Sequence, residues 1–196
     1  MSKLPVGILL AAGTSRRFGS NKLLHPVTNN TPMLLAVAQK LAEVLPDSIT
    51  VINQDLMPYK QQLEQLGMRV VVNKHSNRGM GSSIACGIRA SQDASGWLIA
   101  LADMPYIRIE TFALLAHKLE NGANIVAPTI EQQRGHPVGF SQRFKDELIA
   151  LSDDVGARKV IAGHQNRLEL VPTNDAGVIL DIDQESDIKE SMGSGL

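Results

Sequence analysis

The chain has a single cysteine, Cys86, and its positive and negative side chains nearly cancel, leaving a formal net charge of -1. One cysteine cannot form an internal disulfide, and no pair or quartet of cysteines and histidines has zinc-site spacing. A reducing cytoplasm is the simplest compartment. The missing basic excess argues against a long polyanionic partner such as nucleic acid. It leaves room for a small polyanion escorted by a metal ion, which supplies the absent positive charge. Long hydrophobic runs are also missing. The apolar stretch at residues 6–12, VGILLAA, is too short to cross a membrane, and no cleavage site follows it. It reads as a buried strand.

What is present is ordinary globular material. At 196 residues, 43% hydrophobic and 20% charged, the chain fits one α/β domain over residues 1–196. Short apolar runs alternate with amphipathic stretches. Strands are predicted at 6–12, 48–53, 68–73 and 96–103, with helices at 31–45, 57–66 and 82–90 between them. Thr31 is a plausible N-cap and Pro32 suits a first turn. Further on, a helix over 109–119 stops at Asn121-Gly122, and a strand covers 123–128. A polar loop follows, then a short strand at 137–141 and helices near 143–151 and 155–163. RLELVP and GVILDID read as two late strands. The β-α-β alternation implies a three-layer sandwich around a mostly parallel mixed sheet, with ligands at the carboxyl ends of the strands.

Several segments fall on that edge. LAAGTSRRFGSNKL runs from Leu10 to Leu23. Its small residues let a ligand approach the backbone, Gly13 is free to take φ > 0, and successive N–H groups can cradle phosphate. Arg16, Arg17 and Lys22, three cations within seven positions, supply balancing charge. The spacing is neither a Walker A motif nor G-x-G-x-x-G. ALADMP places Asp103 directly after an apolar strand. A carboxylate there suits Mg2+, or else caps a turn before Pro105. In VILDID, Asp181 and Asp183 stand at i and i+2, so an extended segment turns both to one face. A cation between them would relieve their repulsion, as would exposure to water. Gly79, Gly81, Ser82 and Ser83 form a turn whose hydroxyls could read a base edge or cap the helix behind them. His136 lies in RGHPVGF, between Gly135 and Pro137.

Taken in order, LAAGTSRRFGSNKLL, GMGSSI, LADMP, RGHPVGF and LDIDQESD resemble the molybdenum cofactor nucleotidyltransferase family, and its cytidylyltransferase branch most closely. The matches span residues 9–187. Gln184-Glu185 depart from the Thr-Pro the family often carries after DID. The resemblance implies a Rossmann-like fold of the nucleotide-diphospho-sugar transferase type and CMP transfer from CTP to the molybdenum-pterin cofactor, with Mg2+. By the same resemblance Leu10, Ala11, Ala12, Gly13 and Thr14 would line the nucleotide through the backbone. Arg16 and Lys22 would bind the triphosphate, and Gly81, Ser82 and Ser83 would help read the base. Asp103 would hold the metal with Asp181 as partner, and His136 would sit on the acceptor side. Transient contact with a recipient molybdoenzyme or its chaperone is a further expectation, and a monomer is the default. The rivals are a GTP-dependent guanylyltransferase, a transferase for sugar or polyol phosphates, and a molybdoenzyme chaperone that keeps the fold without turnover.

Overall fold

The computed structural model describes residues 4–13, 21–27, 30–183 and 187. Among the described residues eight strands form one sheet in the order β3-β2-β1-β4-β7-β5-β6, with β8 on the other edge of β5. β1 (Val6–Ala11) is wholly buried, as its unbroken apolar sequence requires. It pairs in parallel with β2 (Ile49–Ile52) on one side and β4 (Gly96–Leu101) on the other. β3 (Arg69–Val72) extends the sheet beyond β2, also in parallel. β7 (Val138–Ser141) is antiparallel to both β4 and β5 (Ile125–Ile130), so β5 runs with the parallel set. The two-residue β6 (Gln133–Arg134) folds back on the end of β5, inside the segment read from sequence as loop. β8 (Leu168–Pro172) runs parallel to β5.

Alternation along the strands divides the core in two. Leu9 and Ala11 face a layer built from α1 (Met33–Val44), α2 (Lys60–Gln65) and α4 (Ile109–Glu120). Ile8, Leu10 and Ala12 face α3 (Met80–Arg89), α5 (Lys145–Ile149) and α6 (Arg158–Gly163). This is the expected three-layer α/β sandwich. Because β1 lies between β2 and β4, the chain leaves β1 and β4 side by side at the point where strand order reverses. A crevice opens there in folds of this kind.

Three local expectations are corrected. The first α-helix begins at Met33, with Pro32 as its N-cap and no side-chain cap from Thr31: Pro32 O accepts the first helical bonds, from Leu35 and Ala36. α3 begins at Met80, so Ser82 and Ser83 stand inside its first turn rather than capping it. GVILDID is not a strand. Its first residues form a 3-10 turn, Ala176–Ile179, and residues 180–183 belong to no strand or helix. The Asp175 carboxylate accepts from Gly177 N, which winds the chain before it can join the sheet. No helix among the described residues is long and apolar enough to cross a membrane.

Candidate active site

Lys22–Leu24 form a short 3-10 turn whose N-cap Asn21 accepts from Leu23 N. Leu23 is buried in the core below. Lys22 is thereby held with its side chain over the ends of β1 and β4. Its ammonium lies 2.9 Å from Asp103 Oδ2 and 2.8 Å from Asp183 Oδ1. Burial alone would lower the Lys22 pKa, but Asp103 and Asp183 outweigh it and hold the group above the usual lysine value. Two carboxylates more than seventy positions apart thus converge on one cation. The structure sets Asp103 on this cluster and not at the start of α4, whose N-cap is Arg108.

Asp103 sits on a clamped loop. From α1, Lys40 Nζ donates to Pro105 O at 2.7 Å and to Ile107 O at 2.9 Å. From the far side, buried Asp175 accepts from Arg108 N at 2.8 Å and from Thr111 Oγ1 at 2.6 Å. Ile182 N donates to Asp103 O at 2.9 Å, which locks the DID segment to the loop. Burial pushes the Lys40 ammonium below its ordinary pKa, against the pull of Asp175 and Glu110. Lys40→Met frees two carbonyls but also removes a partly desolvated charge. We expect a net loss of about 1–2 kcal/mol by thermal or urea unfolding, with a severalfold rise in the divalent-ion concentration that half-saturates activity.

The remaining residues divide. Leu10, Ala11 and Ala12 are buried, so only their backbone can meet a ligand. Leu10 O is already bonded to Ala102 N, and Ala12 O lies 3.5 Å from Asn53 Nδ2. Gly13 is exposed and does not adopt positive φ, and among the described residues a Cβ there would meet nothing. Thr14, Arg16 and Arg17 lie outside the described residues. Gly81 has a steric reason. Its N–H donates to Asp153 O at 2.7 Å, and a Cβ would press on the Ser152–Asp153 backbone. The hydroxyl of Ser82 is occupied: it donates toward Gly79 O and His75 O. Asn73 Nδ2 donates to the hydroxyls of both Ser82 and Ser83, a role no sequence motif announced. Asp181, the expected metal partner, and Asp183 are both exposed, and it is Asp183 whose carboxylate meets the Lys22 ammonium. His136 is held near the same loop, its N–H on Val178 O at 2.8 Å. Among the described residues no three His, Cys, Asp or Glu side chains cluster as a ready metal cage.

A lysine and two aspartates meet at the sheet's switch point, one positive charge against two negative. The family model described as the MobA-like NTP transferase domain matches residues 7–169.

This chain belongs to the MobA-like NTP transferase family.

Proteins of similar sequence carry several different names. The chain is 28% identical to purine catabolism protein PucB of Bacillus subtilis, with 91% of each chain covered. It is 25% identical to nicotine blue oxidoreductase of Paenarthrobacter nicotinovorans, over 90% of this chain and 91% of that protein. A probable molybdenum cofactor guanylyltransferase of Bacillus cereus is 26% identical over 77% of this chain and 74% of its own. In fold, Rv0371c of Mycobacterium tuberculosis superposes with a TM-score of 0.85 at 24% identity, covering 97% of both chains. The molybdenum cofactor relative is named for guanylyl transfer, so the cytidylyl branch expected from the motifs is not supported here. As a MobA-like NTP transferase the chain is a nucleotidyltransferase acting on nucleotide substrates.

Proposed function

We propose that this chain works as one nucleotidyltransferase unit that moves the nucleoside monophosphate of an NTP onto the molybdenum-pterin cofactor and releases pyrophosphate. The carrying observation is the Lys22–Asp103–Asp183 cluster at the strand ends. Both carboxylates already aim at one positive centre, so the donor set fits a divalent cation such as Mg2+. That ion takes few protein oxygens and completes its shell with water and phosphate. Asp103 and Asp183 would hold it, with exposed Asp181 as the alternative second ligand. When bound, the ion supplies positive charge at the α-phosphate.

The chain's own groups then divide the work. The backbone of Leu10 to Gly13, with Thr14, lies against the nucleotide. The turn at Gly81, Ser82 and Ser83 walls the base side. Lys22 moves from the carboxylates to the triphosphate and, with Arg16, stabilises the charge that builds on departing pyrophosphate. An oxygen of the acceptor's terminal phosphate attacks the α-phosphorus, and the bond to the β-phosphate oxygen breaks with its electron pair. That phosphate is ionised near neutral pH, so no strong base is needed, and catalysis rests on positioning and electrostatics. The low cysteine content, with Cys86 partly buried, suits a reducing cytoplasm.

GTP is the donor best supported, because the molybdenum cofactor relative is named a guanylyltransferase. The motif resemblance keeps CTP as the second reading. The test is pyrophosphate release with each of four NTPs, with and without the pterin. Release that requires the pterin, with GTP about tenfold or more ahead of CTP, is the expected result. CTP in the lead would restore the cytidylyl reading. Nucleotide binding with no turnover would favour a chaperone role.

A further inference from the structure

The sheet edge opposite Lys22 and Asp103 carries a crevice of about 850 Å3. It opens where β1 and β3 begin and α3 ends, and its lining shares no residue with the candidate active site. That volume lies in the range that holds a small organic molecule. The walls are of two kinds. Leu4, Pro5, Leu45 and Pro46 give an apolar side, and Arg69 and Arg89 a cationic one.

Both arginines are held in place. Arg69, the first residue of β3, donates from Nη2 to Ala90 O at 2.6 Å. Arg89, the last residue of α3, donates from Nη2 to Ile149 O at 2.7 Å. Among the described residues these carbonyls are the only partners of either guanidinium. Each fork therefore keeps N–H groups to offer a ligand, and a tethered guanidinium loses little freedom when it binds. Asp47 and Asp93 line the crevice too, so two negative side chains stand against the two positive ones. A polyanion such as a nucleoside triphosphate is unsuited to that balance. A molecule with one anionic group and an apolar body matches both walls.

α3 joins the crevice to the other edge. Its ten residues, at about 1.5 Å each, span about 15 Å. β3 precedes it and runs the opposite way, and side chains at both ends of the strand hold the helix. Arg69 at the strand's start bonds Ala90 O at the helix end. Asn73, just after the strand, donates to Ser82 and Ser83 in the first helical turn at 2.9 and 3.0 Å. Between them, Gly87 lies so close to the sheet that a Cβ would stand 2.7 Å from Ile8 and 3.2 Å from Val51. A helix packed this tightly passes a displacement along its length rather than absorbing it.

We propose that the crevice is an effector site for a small organic monoanion, and that its occupancy loosens the turn at residues 81–83 through Arg69 and α3. The anion draws the Arg69 fork toward itself and away from Ala90 O, so the helix end loses a tether. That the crevice binds such an anion stands on its own lining. That binding alters nucleotide affinity rests on the transferase reading.

The probe is 8-anilino-1-naphthalenesulfonate, one sulfonate on an apolar aromatic body, titrated by fluorescence into the whole protein. One saturable site is expected. Its midpoint should rise about tenfold or more in Arg69→Gln/Arg89→Gln, and likewise in Pro46→Trp, which fills the crevice from its rim. N-Phenyl-1-naphthylamine, the same body without the sulfonate, should bind the parent about tenfold more weakly. An unchanged midpoint in either variant, or equal binding of the neutral compound, overturns the site. All three substituted positions are exposed, so the variants should melt as the parent does. If the arginine variant melts early, Pro46→Trp and the neutral compound decide. Amide hydrogen exchange reads the coupling. Saturating probe should speed exchange at residues 81–83 about fivefold in the parent and not in Pro46→Trp. Unchanged exchange overturns the coupling. With turnover in hand, the probe should also raise the NTP KM about fivefold. An unchanged KM overturns the effector role. If no NTP supports transfer, the transferase reading falls, and the titration and the exchange still decide the site.

Discussion

Asp103→Asn is expected to lower pyrophosphate release by roughly a hundredfold to a thousandfold, with little change in Tm. Asparagine keeps the side chain's size and can still accept from Lys22, but it loses the charge that would hold a divalent ion. Lys22 retains Asp183 at 2.8 Å, so the cation is not stranded. The loop itself is fixed by other bonds: Lys40 on Pro105 and Ile107, Asp175 on Arg108, and Ile182 on the Asp103 carbonyl. None of these uses the Asp103 carboxylate. Turnover within about threefold of the parent would refute the metal role, because loss of a directly stabilising group costs far more than that. A large fall in Tm would instead make the carboxylate a structural group. Assays over a range of Mg2+ and Mn2+ separate weakened metal affinity from lost chemistry.

Asp175→Ala carries the largest stability effect. The side chain is 1% exposed and accepts three hydrogen bonds, from Arg108 N, Thr111 Oγ1 and Gly177 N. It ties the start of α4 to the turn that precedes the DID segment. Removal leaves three donors with no partner in a space too confined for ready hydration. The expected loss is roughly 3–5 kcal/mol, seen as a fall of about 10 °C in Tm for a chain of this size. Activity should fall further than stability alone explains, because the same segment carries Val178 under His136, Ile182 on Asp103 and Asp183 on Lys22. A loss below about 1 kcal/mol would mean that water or Thr173 replaces the carboxylate, and that the turn is held by its packing.

The positions of β1 and β4 were legible because both are continuous apolar runs, and only burial on both faces explains such runs. In a mostly parallel sheet Lys22 and Asp103 share the carboxyl edge, because each follows one of those strands. The late segment was misread for a physical reason. V-I-L-D-I-D alternates like a half-buried strand, yet a carboxylate just before it caps a 3-10 turn and turns the chain out of the sheet. The local pattern held no signal of this, because Asp175 is fixed by partners 64 and 67 positions away. With the turn in place Asp183, not Asp181, comes to rest on Lys22. Ser82 and Ser83 show the same limit: they resemble caps, but Asn73 on the preceding loop claims them.

Local chemistry thus determined the layers, the mostly parallel run of the strands and the edge where Lys22 and Asp103 meet. Apolar periodicity and strand-end placement act over a few residues and can be read in order along the chain. Tertiary structure alone decided which carboxylate joins Asp103 on Lys22 and what clamps that loop. Each of those outcomes is a contact between residues far apart in the chain. Such contacts depend on packing and hydrogen-bond satisfaction in three dimensions, which no single stretch of sequence encodes.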